Sequence, residues 1–234
     1  MKIASILQRV KRSLVNSAGT IVFGMEDGTV SIFGLIFGVA ATTTSSHAVL
    51  IAGASGAAAA AVSMMAGAYL DTETSRDALK SNRAHLRADL KHDPASVSTL
   101  LQKRMAASRL NPKLSAALAG AVKDNPEARK ALLFALQAAP EAQPNPREQA
   151  RWMLLADFFS ASVPILPFVF LSVPQARVVS AAVTTALLVV LGIGRARIAD
   201  QSVIRTIIET VSVGVAAALA GVAISMLLDR SFSG

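Results

Sequence analysis

Cysteine is absent from this 234-residue chain, which excludes disulfides and thiolate metal sites together. Histidine is nearly absent: His47, His85 and His92 form no zinc-protease pattern. His85 and His92 lie seven apart with Asp89 between them, a helix face we read as solvated. There is no Walker glycine loop and no Gly-x-Ser-x-Gly, so the common enzyme signatures are missing and no catalytic residue or cofactor is expected. Aromatics make up 5% of residues, and 15 Asp and Glu stand against 23 Lys and Arg. The basic residues are spread along helical stretches without interleaved aromatics, which argues against nucleic acid as a partner.

What the chain has in abundance is hydrocarbon. It is 53% hydrophobic with a mean hydropathy of +0.49, too apolar for an ordinary soluble domain of this size. A membrane span needs about 20 mostly apolar residues. Five windows qualify on length: about Gly19–Ala41, His47–Leu70, Trp152–Ser172, Val178–Gly194 and Val203–Leu228. All are rich in Ala, Gly and Ser, which suits close helix packing in lipid. The expected fold is an all-α membrane protein of five transmembrane helices with a cytoplasmic helical insert between spans two and three. Residues 1–18 form the N-terminus, 19–70 spans one and two, 71–151 the insert, and 152–234 spans three to five.

Charge sets the orientation. Four Lys/Arg precede the first span, fourteen lie between Arg76 and Arg151, and Arg195, Arg197 and Arg205 flank the last loop. The opposite side carries only Arg177 and Arg230. The positive-inside rule places the N-terminus and insert in the cytoplasm and the C-terminus outside. Residues 1–17 alternate Ile3, Ile6, Leu7, Val10 and Leu14 with Lys2, Arg9, Lys11 and Arg12. They have no uninterrupted apolar core and do not read as a cleavable signal peptide. At helical spacing they make a basic amphipathic segment, either lying on the cytoplasmic leaflet or frayed into the cytosol. In the insert, span two is expected to continue as helix to about His92. Shorter helices follow at about 95–109, 112–122 and 126–138, with Asn111-Pro112 and Asn125-Pro126 as starts. The proline-rich stretch 140–146 reads as a linker.

The chemistry centres on Glu26 and Asp27, adjacent acids inside the first apolar window. A carboxylate in hydrocarbon costs several kcal/mol unless it faces water, a cation or a partner. At a rise of about 1.5 Å per residue, Asp27 lies roughly 10 Å below the cytoplasmic start of span one. Met64 and Met65 lie roughly 8–9 Å from the cytoplasmic end of span two, Asp157 about 8 Å into span three and Glu209 about 9 Å into span five. Four helices thus bring acids or thioethers to one level. Carboxylates suit hard or borderline divalent cations, and a thioether shifts preference toward softer transition metals. The same acids can carry protons in exchange. Asp157 has an alternative, pairing with Arg151 or Arg205. Glu26 points about 100° from Asp27 and is read as a gate or interface residue that contacts a headgroup or a basic side chain. Asp27, Ser31, Gly34 and Gly38 share one helix face, Gly24 and Gly28 form another small-residue pair, and Pro164 and Pro167 should kink span three.

These residues carry a resemblance. Phe23-Gly-Met-Glu-Asp-Gly-Thr-Val-Ser31 followed by Ala61-Val-Ser-Met-Met-Ala-Gly-Ala-Tyr-Leu70 resembles the vacuolar iron transporter family, which includes the nodulin-21-like proteins. Pro164-Ile-Leu-Pro167 and Glu209 also match its pattern. The resemblance implies a homodimer with the ion path on its two-fold axis and export of ferrous iron or manganese from the cytosol by proton antiport. Asp27 and Met64 would be path residues, with Glu209 in support. A vacuolar membrane and a bacterial inner membrane fit equally. Two departures stand out: Ala68 occupies the place of a family carboxylate, and the insert, basic overall, is a poor cation funnel. These departures support an alternative, a non-transporting membrane scaffold or regulatory protein of the same fold whose insert binds a soluble partner.

Overall fold

A computed structural model describes residues 2–92, 125, 127 and 145–232. Every element among them is helical: α1 Lys2–Asn16, α2 Ala18–Thr42, α3 Ser46–His92, α4 Pro146–Ile165, α5 Pro167–Phe170, α6 Val173–Ile198 and α7 Val203–Phe232. The chain divides into two compact units, Met1–Thr72 with Pro144–Gly234, and Glu73–Gln143. Most of the second unit, including the expected helices at 95–109 and 112–122, lies outside the described residues. Within it, the Asn125 side chain accepts a hydrogen bond from the Glu127 backbone at 3.1 Å, the capping contact expected of Asn125-Pro126.

Each boundary has a local cause. Ser45 caps α3 by accepting from the Ala48 backbone N–H. Asn145 caps α4 by accepting from the Arg147 N–H at 3.1 Å, with Pro146 in the first turn where its missing N–H costs nothing. The tight turn between α6 and α7 puts Asp200 at φ 51, a left-handed conformation that Asp tolerates better than most residues. α3 runs without interruption to His92, as expected for the extension of span two.

Among the described residues, four helices are long and apolar enough to cross a membrane: α2, α3 over Ser46–Asn82, α6 and α7. The expected third span, Trp152–Ser172, takes a different form. Its helix starts earlier, at Pro146, carries Arg147, Glu148, Arg151 and Asp157, and stops at Ile165. Leu166 separates it from the four-residue α5. Pro167 has no N–H to continue the helical ladder, so the ladder is interrupted where the proline kink was expected, while Leu166 keeps helical angles of φ −51 and ψ −40. Ser180 of α6 donates to the Pro164 carbonyl at 2.8 Å, which ties the interruption to its neighbour.

α2 is the axis of the first unit, packed by α4 on one flank and by α7 and α6 on others. Its glycines permit this closeness. A Cβ on Gly28 would stand 2.4 Å from the Asp157 carbonyl oxygen, and one on Gly34 would stand 2.8 Å from that of Ala217. The expected small-residue faces thus meet two different helices: Gly24 and Gly28 seat α4, whereas Gly34 and Gly38 seat α7. At the far end of α2, Ile32, Ile36, Val49, Ile165 and Phe168 close an apolar cluster with α3, α4 and α5. Fully burying a side chain such as Phe168 contributes about 1.5–3 kcal/mol relative to exposure in water; within lipid, shape fit takes over.

Candidate metal path

The α2–α4 contact fixes the acids. With Gly28 against Asp157 and Ser160, and Gly24 against Met153 and Ala156, the two helices run parallel and Asp157 stands level with Asp27. Asp157 is fully buried, and neither carboxylate oxygen has a hydrogen-bond partner. It pairs with neither Arg151 nor Arg205, so the ion-pair alternative for Asp157 does not hold. Its charged neighbour is Asp27, within electrostatic reach across the helix contact. Two carboxylates so placed repel each other unless a proton or cation sits with them. Asp27 is half-buried and lines a cleft of about 370 Å³ with Glu26, Val30, Arg195 and Val213.

Glu26 is disposed differently. Its carboxylate accepts from the Arg195 guanidinium at 3.2 Å and from the Thr210 hydroxyl at 3.2 Å. It thereby joins α2, α6 and α7 at the rim of the Asp27 cleft. Glu209, next to Thr210 and so near the level of Glu26, is held by Arg205 one turn away at 2.9 Å. It lines neither of the clefts beside α2.

Met64 lines a second cleft, of about 470 Å³, with Phe23, Ala68, Asp71, Gln149 and Met153. Gly19 and Phe23 border both clefts, so Asp27 and Met64 occupy adjoining spaces rather than one. Met65 is half-buried and lines neither. Sequence reasoning passed over three residues here. Asp71 was assigned to the insert, although it lies three residues, nearly one helical turn, beyond Ala68 and so on the same side. Met153 sits at helical spacing, i−4, from Asp157 and adds a second thioether. Arg195 was counted only for topology, and nothing in its local sequence points to Glu26. Among the described residues, no three His, Cys, Asp or Glu side chains converge closely enough to hold a metal.

Comparison with known families now adds to this geometry. The family model described as the VIT family matches residues 18–226. The chain belongs to the vacuolar iron transporter family. The match covers α2 through nearly all of α7 and identifies an integral membrane protein of a metal-transporter family, not of an enzyme family. No curated protein matches the chain significantly.

Proposed function

We propose that this protein exports a divalent cation, ferrous iron or manganese, from the cytosol in exchange for protons, with Asp27 as the central ligand. The observation that carries the reading is the acid pair across the α2–α4 contact. One member, Asp157, is buried without a partner, and the other, Asp27, opens onto a cleft. An unpaired carboxylate in an apolar interior is stable when protonated or beside a cation, so the pair suits alternate occupancy by protons and metal. Asp27 meets the cargo, and Asp157 holds the exchanged proton where water does not reach.

Met64 and Met153 supply thioethers that favour a borderline transition metal over calcium or magnesium, and Asp71 offers a carboxylate close to the position that Ala68 leaves empty. The described residues of a single chain present too few convergent ligands for a metal. The reading therefore places a second copy across a two-fold axis, against the lightly covered face of α3 that carries Met64. In this arrangement α4 and α5 together form the third span, which brings the number to five. The N-terminus and residues 71–151 face the cytoplasm, and the membrane is a bacterial inner or vacuolar one. The metal is cargo, and no resident cofactor is required.

Metal uptake into proteoliposomes, measured for ferrous iron, manganese and zinc with and without a proton gradient, tests this. Saturable uptake that drives protons the other way supports exchange. The scaffold reading draws on Arg195 neutralising Glu26 beside the Asp27 cleft; it expects no saturable flux of any metal.

A further inference from the structure

The family match begins at residue 18, and the proposed ion path makes no use of α1. Yet α1 is a 15-residue helix with a distinct apolar side. Leu7, Val10 and Leu14 fall within an arc of roughly 60° at about 100° per residue, and all three are exposed. Lys11, also exposed, sits at the edge of that arc, with Arg12 on the polar side. The sequence adds Lys2 and Arg9 and places no acid before Glu26. Exposed leucine and valine bordered by cations match a leaflet surface better than bulk water.

Where α1 sits is decided by its register against α4. Because Gly24 meets Met153 and Ala156, a straight continuation of α2 would carry Ser13, roughly three turns earlier, beyond the start of α4. Instead, Trp152 Nε1 donates to the Ser13 hydroxyl at 2.8 Å. The chain turns at Ser17, with φ −107 and ψ 10. That residue is buried and fixed by the Gln149 side-chain amide at 3.2 Å. α1 thus folds back to the level where α2 and α4 emerge. Trp152, the chain's single tryptophan, clasps it there, at a level where tryptophan is favoured in membrane proteins.

We propose that α1 is an interfacial helix that binds an anionic lipid surface. Leu7, Val10 and Leu14 seat at the acyl boundary, and Lys11 and Arg12 meet headgroup phosphates. The absence of cysteine makes the test direct. Full-length Leu7→Cys, carrying an environment-sensitive fluorophore, is reconstituted in phosphatidylcholine vesicles with or without phosphatidylglycerol, with Gln8→Cys as the solvent-facing control. With phosphatidylglycerol, the label at 7 should shift to the blue and resist aqueous iodide, while that at 8 stays quenched. Each basic residue near an anionic surface is worth about fivefold in partitioning, so Lys11→Glu with Arg12→Glu should lose protection by more than that factor. High salt should release the unmutated helix in the same way, a check that does not depend on the variant's folding. Equal quenching at both positions in every lipid overturns the proposal. So does protection indifferent to lipid charge and salt. Protection lost on diluting the protein into excess lipid overturns it too, because the occupant is then a second copy of the chain.

Discussion

Gly28 and Gly67 are the same residue in two apolar helices, and their surroundings are opposite. A Cβ at Gly28 would strike the backbone of α4 at 2.4 Å, whereas one at Gly67 would find nothing within 4 Å. The contrast separates two halves of the candidate path. The acid half, on α2 and α4, is locked by the chain's own packing, so Asp27 and Asp157 have fixed positions. The thioether half, on α3 around Met64, is lightly covered and has room for what completes it. The first half is built within one chain; the second is where the proposed partner copy would sit.

The largest expected effect comes from breaking the packed half. Gly28→Leu forces side-chain atoms into the Asp157 backbone, and overpacking of this kind costs about 1–3 kcal/mol or more. A thermal melt in detergent should show a large loss of Tm or no folded protein. Asp157→Asn separates packing from chemistry. It keeps the shape and removes the partnerless charge that Asp157 uncovers whenever its proton leaves, so Tm should hold or rise, by about 2–4 °C per kcal/mol relieved, while proton-coupled metal flux falls.

Smaller effects sharpen the boundary between the halves. Arg195→Ala frees Glu26 at the rim of the Asp27 cleft. The exposed side of that pair limits its stability contribution to about 1 kcal/mol at most. The half-saturating metal concentration should fall as a negative charge is released, which flux titration would show. Arg205→Ala removes an exposed pair one turn long, worth about 0.3–0.5 kcal/mol, and should leave flux unchanged. Gly67→Ala should be the mildest, gaining up to about 1 kcal/mol from helix propensity; a clear loss of stability there would mean that α3 is already covered.

Much of the fold could be read from the sequence because lipid demands long uncharged runs, and α2, α3, α6 and α7 supply them. The third span was harder. Arg147, Glu148, Arg151 and Asp157 dilute its apolar run, and Pro167 interrupts its helical ladder. The acids were visible because a carboxylate among apolar residues is costly wherever it points. What they face was not visible. Arg195 reaches Glu26 from α6, far along the chain, and only tertiary packing tells that Asp157 has no cation, whereas the Arg205–Glu209 pair is four residues apart on one helix and was open to sequence reading. Depth along each helix put Asp27, Asp157 and Glu209 near one level but gave no rotation about the helix axis. That rotation sets Glu209 apart from the acid pair and places Phe23 between Asp27 and Met64.

Proton-gradient-driven ferrous iron uptake by proteoliposomes, comparing the native chain with Asp27→Ala, tests the central claim most directly. The account expects saturable uptake coupled to proton movement in the native protein and its loss in the variant, with the variant still folded by thermal melt. Uptake that persists at the native rate in Asp27→Ala, indifferent to the proton gradient, would contradict it.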